Sequence, residues 1–181
     1  MTGGRQPRSK WKLSGSVWLL GDHINTDLIH PPDYFSLDGE KLQAGLVEGL
    51  RRIDAAGRQT LEAENIVIVA GLNFGCGSSR ETSVRALRDG GVRVVLARSF
   101  GRIFFRSLVN LGIFPLHCNT VQTVVKPGMH LTVDLERGKV CCDNGDAYAF
   151  QQPDAHVLRV LQAGGLIAYL RNERGVSAGA P

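Results

Sequence analysis

Asn65-Ile66-Val67-Ile68-Val69-Ala70-Gly71-Leu72-Asn73-Phe74-Gly75-Cys76-Gly77-Ser78-Ser79-Arg80-Glu81 is the stretch on which the fold turns. Its first six residues form a near-continuous apolar run, the pattern of a short strand buried on both faces. The glycine-rich turn that follows opens a helix, because Ser78 stands three residues ahead of Glu81 and predicts a capping box with Ser78 as N-cap. Gly75 and Gly77 permit positive φ and close approach of a ligand. Free amides and the helix dipole at such a start favour an anion, and Arg80 adds a planar fork suited to carboxylate or phosphate. The carboxyl end of a parallel strand is also where open α/β sheets bind ligands.

Outward from this stretch the pattern repeats. Val92 to Ala97 and Ile113 to Leu116 are further apolar runs. The helix between the first two stops at Gly90-Gly91, and a second, Arg102 to Leu111, stops at Gly112, as helices commonly do. Upstream, Ser16 to Leu20 reads as a short strand running into the polar turn Gly21-Asp22-His23-Ile24-Asn25-Thr26-Asp27, with a second break at Pro31-Pro32-Asp33. Leu42, Leu46, Leu50 and Ile53 make the stripe of an amphipathic helix over Lys41 to Ile53. From Leu131 to Phe150 short alternating strands surround Gly138 and Asn144-Gly145, and a last helix runs near Asp154 to Ala163. The expectation is an α/β protein with a parallel β-α-β-α-β core and an antiparallel flap. Residues 16–170 would form the domain, between a flexible basic arm over 1–15 and a loose tail over 171–181.

Composition narrows the class. The 181 residues are 43% hydrophobic and 21% charged, with mean hydropathy −0.05, as in a soluble globular domain. No apolar run reaches the 18 or so residues of a spanning helix. Of the +4 net charge, Arg5, Arg8, Lys10 and Lys12 account for all, leaving 17 bases against 17 acids. Such an arm reads as a solubilising terminus, so no nucleic-acid binding is inferred. Cys76, Cys118, Cys141 and Cys142 have no CxxC or Cys/His spacing, so no metal is expected on this chain. The N-terminus lacks an apolar signal core, which predicts a cytoplasmic location with reduced thiols.

Other readings of the glycine turn fare worse. Arg80 stands at the third glycine position of a dinucleotide fingerprint, and no Gly-Lys-Ser or Gly-Lys-Thr follows for a Walker loop. Cys76 has no histidine near it in sequence to make it a nucleophile. Among the arginines of residues 80 to 106, Arg85 and Arg88 share a helix with core-facing Val84 and Leu87 and are read as structural. Arg80, in the expected first turn, is the ligand candidate.

Four anchors carry a family resemblance: Gly21-Asp22 through Asn25-Thr26-Asp27, Asn73 to Glu81, Arg98-Ser99-Phe100-Gly101-Arg102-Ile103-Phe104, and Gly112-Ile113-Phe114-Pro115-Leu116. In this order, over roughly residues 16 to 165, the chain resembles the small subunit of 3-isopropylmalate dehydratase, the swivelling β/β/α domain of the aconitase superfamily. The resemblance implies a hydro-lyase that moves a hydroxyl between adjacent carbons of a malate-like dicarboxylate by dehydration and rehydration. It implies a 4Fe-4S cluster on a large subunit, in a heterodimer or heterotetramer, and no cofactor on this chain, which should be inactive alone. By similarity Ser78 is the catalytic base and Asp27 an active-site acid, unless Asp27 serves only in an Asx turn or N-cap. Ser79, Arg80 and Thr26 would bind substrate, Arg80 bidentately.

In this family substrate choice goes with the loop that here reads Tyr34-Phe35-Ser36-Leu37. Relatives acting on tricarboxylates have an arginine at the position aligned with Ser36, and here no arginine lies between residues 6 and 50 except Arg8. An apolar side group is expected, as in 2- or 3-isopropylmalate, the isomerisation step of leucine biosynthesis. The chain departs from the family at Thr82-Ser83, where His-Ala is usual, and at His30, where an aliphatic residue is usual. Those departures leave two alternatives: a paralogue acting on methylmalate and citraconate or another malate-type acid, and a non-catalytic anion-binding module.

Overall fold

The computed structural model describes residues 11–36, 38–53, 66–77 and 80–175. Among them seven strands form one mixed sheet: β1 (Lys12–Leu19), β2 (Ile66–Ala70), β3 (Val92–Ala97), β4 (Phe114–His117), β5 (His130–Asp134), β6 (Lys139–Cys142) and β7 (Ala147–Ala149). Their order is β4-β3-β2-β1-β5-β6-β7. β1 to β4 are parallel, and β5 joins the far edge of β1 antiparallel, with Lys12 opposite Asp134 and Ser16 opposite His130.

The expected β-α-β-α-β core is therefore β2-β3-β4, connected through α3 (Glu81–Asp89) and α4 (Arg102–Asn110). A third crossover lies ahead of it. From β1 the chain passes through α1 (Thr26–Ile29), a 3₁₀ turn (Pro32–Tyr34) and α2 (Gly39–Ile53) before returning as β2. β1 also begins at Lys12, four residues ahead of the expected Ser16, because β5 gives Lys12 to Gly15 hydrogen-bonding partners. The antiparallel flap is continuous with the parallel sheet through the same pairing.

Period-two alternation splits the core between the sheet's two faces. Ile66, Ile68 and Ala70 of β2 pack with Leu42, Leu46 and Leu50 of α2 and Val84 and Leu87 of α3. Val67 and Val69 face Leu131, Val133 and Val140 of the antiparallel half. On that side lie α5 (Val121–Val124), α6 (Ala155–Gln162) and α7 (Leu166–Glu173), α6 capped by Asp154, whose Oδ1 accepts from His156 N–H at 2.8 Å. Cys141 is exposed and Cys142 buried on opposite faces of β6. No helix among the described residues is long and apolar enough to cross a membrane.

Candidate active site

Three loops leave the carboxyl ends of β1, β2 and β3, and the peptide backbone zips them together. Asp22 Oδ1 accepts from Leu72 N–H at 2.8 Å, Ile24 O from Gly75 N–H at 2.8 Å, and Cys76 O from Thr26 N–H at 3.1 Å. On the other flank Asn73 N–H donates to Ser99 Oγ at 2.8 Å, and Phe74 O accepts from Gly101 N–H at 2.8 Å. The 71–77 turn is thus the middle strand of a small sheet extension. Three of the four anchors meet here, and the fourth leads into β4.

Aromatic packing holds the extension down. Phe74 is fully buried and meets Phe100 and Phe104 edge-on at 6.3 and 5.7 Å. Gly75 adopts φ +73°, and a methyl there would collide with the Phe104 ring. The close approach that demands glycine at 75 is therefore to this ring and not to a ligand. A cleft of about 280 Å³ opens beside the turn, lined among others by Asn73, Cys76, Gly77 and Arg102. Cys76 donates its thiol to the His23 carbonyl at 3.4 Å, so the contact brought by folding is with His23's backbone and not its imidazole.

α3 begins at Glu81, with Arg80 at the N-cap and no side-chain cap bond, which corrects the expected capping box led by Ser78. The site residues Ser78, Ser79 and Leu37 lie outside the described residues. An N-cap residue keeps extended backbone (Arg80 φ −102°, ψ 116°), so Arg80 precedes the first turn instead of lying in it. Its Nη1 donates to Asp27 Oδ1, and its Cζ stands 4.3 Å from the Phe35 ring centroid. The Arg80 side chain remains one third exposed and the Asp27 side chain about half.

Asp27 sits in the first turn of α1, whose N-cap is Asn25, with Asn25 Oδ1 accepting from Leu28 N–H at 2.9 Å. Capping thus belongs to Asn25, and Asp27 is left to hold Arg80. Thr26 is buried at 1% exposure, its hydroxyl side beneath Gly77. Tyr34, Phe35 and Ser36 are half-buried, and Ser36 Oγ accepts from Asp38 N–H at 3.1 Å to close the turn. Arg80, Asp27 and Phe35 are brought into one cluster.

Sequence reasoning missed what seats this cluster. Gly45 and Gly49 of α2 lie one turn apart, and a methyl at either would strike the neighbouring segment: at Gly45 the His30 ring and Tyr34 Cβ (both 2.5 Å), at Gly49 the Leu28 and Ile29 carbonyls. Two glycines four apart in an amphipathic helix were the available signal. His30 is fully buried and stacks on Phe35, ring centroids 5.5 Å apart and planes 8° apart. Its ring nitrogens and the Ser83 hydroxyl make no protein hydrogen bond. Burial pushes the His30 pKa below the usual histidine value, and the Leu42 backbone, near the ring but outside hydrogen-bond geometry, pulls the other way.

Residues 37–120 match the aconitase C-terminal domain. The 3-isopropylmalate dehydratase small subunit of Lachnospira eligens is 35% identical over 165 residues, 91% of this chain and 98% of that protein. The chain belongs to the 3-isopropylmalate dehydratase small-subunit family. A crystal structure of 3-isopropylmalate dehydratase from Methanocaldococcus jannaschii superposes with a TM-score of 0.80 at 33% identity, covering 91% of this chain and 96% of that one. The same organism's homoaconitase small subunit is 35% identical over 90% of this chain and 93% of its own length, so family membership spans more than one substrate.

Among the described residues no group of three or more His, Cys, Asp or Glu side chains is placed to hold a metal ion. Cys141 and Cys142 face opposite sides of β6, and Cys118 is buried with its thiol against the Ala149 carbonyl at 3.4 Å.

Proposed function

We propose that this chain is the small subunit of a cytosolic two-chain hydro-lyase that converts 2-isopropylmalate to 3-isopropylmalate, the large subunit carrying the 4Fe-4S cluster. The observation that carries the reading is the Arg80 guanidinium, held by Asp27 and Phe35 at the carboxyl ends of the parallel strands. A guanidinium has five N–H donors. With Nη1 engaged by Asp27, its other edge is available to grip a substrate carboxylate bidentately.

Ser78 follows Gly77 and precedes Arg80 by two residues in the chain. As an alkoxide its Oγ removes the proton from the carbon next to that carboxylate as the neighbouring carbon loses its hydroxide, for which the large subunit's cluster would supply the Lewis acid. Hydroxide then adds to the carbon that lost the proton, and Ser78 returns its proton to the carbon that lost the hydroxide. Cationic Arg80 favours the ionised serine, Ser79 completes the carboxylate site, Thr26 supports the turn from beneath Gly77 instead of meeting substrate, and Asp27 orients Arg80. Tyr34, Phe35, Ser36 and Leu37 surround the side group. The described part of that loop, Tyr34 to Ser36, offers two aromatic rings and one short side chain in place of a cation, which suits an isopropyl group better than a third carboxylate.

The test is anaerobic co-purification with the host's large subunit, followed by an ultraviolet assay for unsaturated acid from isopropylmalate, methylmalate, citrate and homocitrate. Turnover of isopropylmalate by the complex and by neither chain alone is expected. Turnover of only another acid overturns the substrate, and failure to form a complex overturns the subunit reading.

A further inference from the structure

The Phe35 ring that the Arg80 guanidinium rests on has a second neighbour, and that neighbour is costly to keep. His30 is fully buried, its ring nitrogens have no protein hydrogen bond, and an unsatisfied buried polar group destabilises a fold. It nevertheless lies stacked and nearly parallel with the Phe35 ring. The backbone of α2 at Gly45 is close enough that even a methyl would strike the His30 Nε2, so the ring has a rigid floor. α2, His30, Phe35 and Arg80 form one chain of contacts from a core helix to the edge of the site.

We propose that His30 is a positioning residue for substrate binding: wedged against Gly45, its ring sets the plane of Phe35 and through it the pose in which Arg80 meets the substrate carboxylate. The proposal rests on the reading of Arg80 given above. A contact that Arg80 keeps from ground state to transition state is uniform binding, and weakening it raises KM with kcat unchanged. A residue that only filled the core would show its loss as lost stability.

The complex is assayed with His30→Leu, Phe35→Leu and the double variant, beside thermal unfolding of the small chain. Leu at 30 removes the stack and also the two unsatisfied nitrogens. Each single variant should raise KM about five- to tenfold with kcat within about twofold, and the double variant should exceed neither, because both break one chain of contacts. His30→Leu should raise Tm by about 2–4 °C. An unchanged KM, KM increments that multiply in the double variant, or a Tm that falls as KM rises would each overturn the proposal. Wild-type complex run in parallel keeps the two readings apart. If it turns over a different malate-type acid, the function falls, and the same KM comparison is made with that acid.

Discussion

Replacing Ser78 by Ala takes away the hydroxyl proposed to hold the proton and changes little else, so turnover should fall at least about 100-fold while the two chains still co-purify. Retained turnover would remove Ser78 as the base. Arg80→Lys keeps the charge but not the fork, and an ammonium can satisfy Asp27 or the substrate but not grip both edge-on. A loss of about 10- to 100-fold in kcat/KM is expected, and normal kinetics would count against carboxylate binding there. His30 supplies a pH test. Its folded-state pKa lies below the ordinary value of about 6.5, so the unfolded chain takes up the proton first and stability drains away as pH falls below that value. The Tm gap between wild type and His30→Leu should therefore widen from pH 7.5 to 5.5, and a constant gap would show that His30 does not titrate on unfolding. None of this cluster was legible as geometry beforehand. Arg80 and Asp27 stand 53 positions apart, and no local pattern encodes which side of a guanidinium meets which ring.

α2 shows what local pattern does and does not reveal. Its Leu42, Leu46 and Leu50 stripe is a period-3.6 signal written within fifteen residues, and the helix forms where that signal says. The glycines at 45 and 49 sit on the face turned to α1 and the 3₁₀ turn, and their purpose emerges only when that segment lies against them. Glycine-to-alanine changes inside helices ordinarily stabilise by about 1 kcal/mol. At Gly49 the sign should reverse, with Gly49→Ala destabilising by about 1–3 kcal/mol in urea unfolding, because the methyl meets the Leu28 and Ile29 carbonyls. A stabilised variant would mean that α1 can draw away from α2 without cost. α3 is the opposite case. Its end at Gly90 was readable, since a glycine stop is a local event. Its start is not, because Ser78 and Glu81 have capping-box spacing whereas the helical geometry begins at Glu81 with Arg80 as N-cap.

At the scale of the molecule, the parallel core was readable because β2, β3 and β4 are apolar runs divided by helices of conventional length. The placement of β1 between β2 and β5 was not, since strand order is set by pairings that leave no mark in either strand alone. Both sheet halves hang on β1, so they should unfold together. Leu131→Ala, at a fully buried position opposite Gly15 of β1, should cost about 2–5 kcal/mol. It should do so with an unchanged urea m-value and coincident fluorescence and circular dichroism transitions. Two separated transitions would show that the antiparallel half melts on its own. The position of β1 also orders events on the ribosome. Lys12 pairs with Asp134, so the strand that emerges first waits for a partner about 120 residues behind it. At about 5–20 residues per second that delay is on the order of 6–25 s. β2 covers one edge of β1 at Ser16 to Leu19 well before then, but the other edge, Lys12 to Ser16, stays open to neighbouring nascent chains until β5 arrives, so slower synthesis lengthens the time in which that edge can pair with the wrong strand.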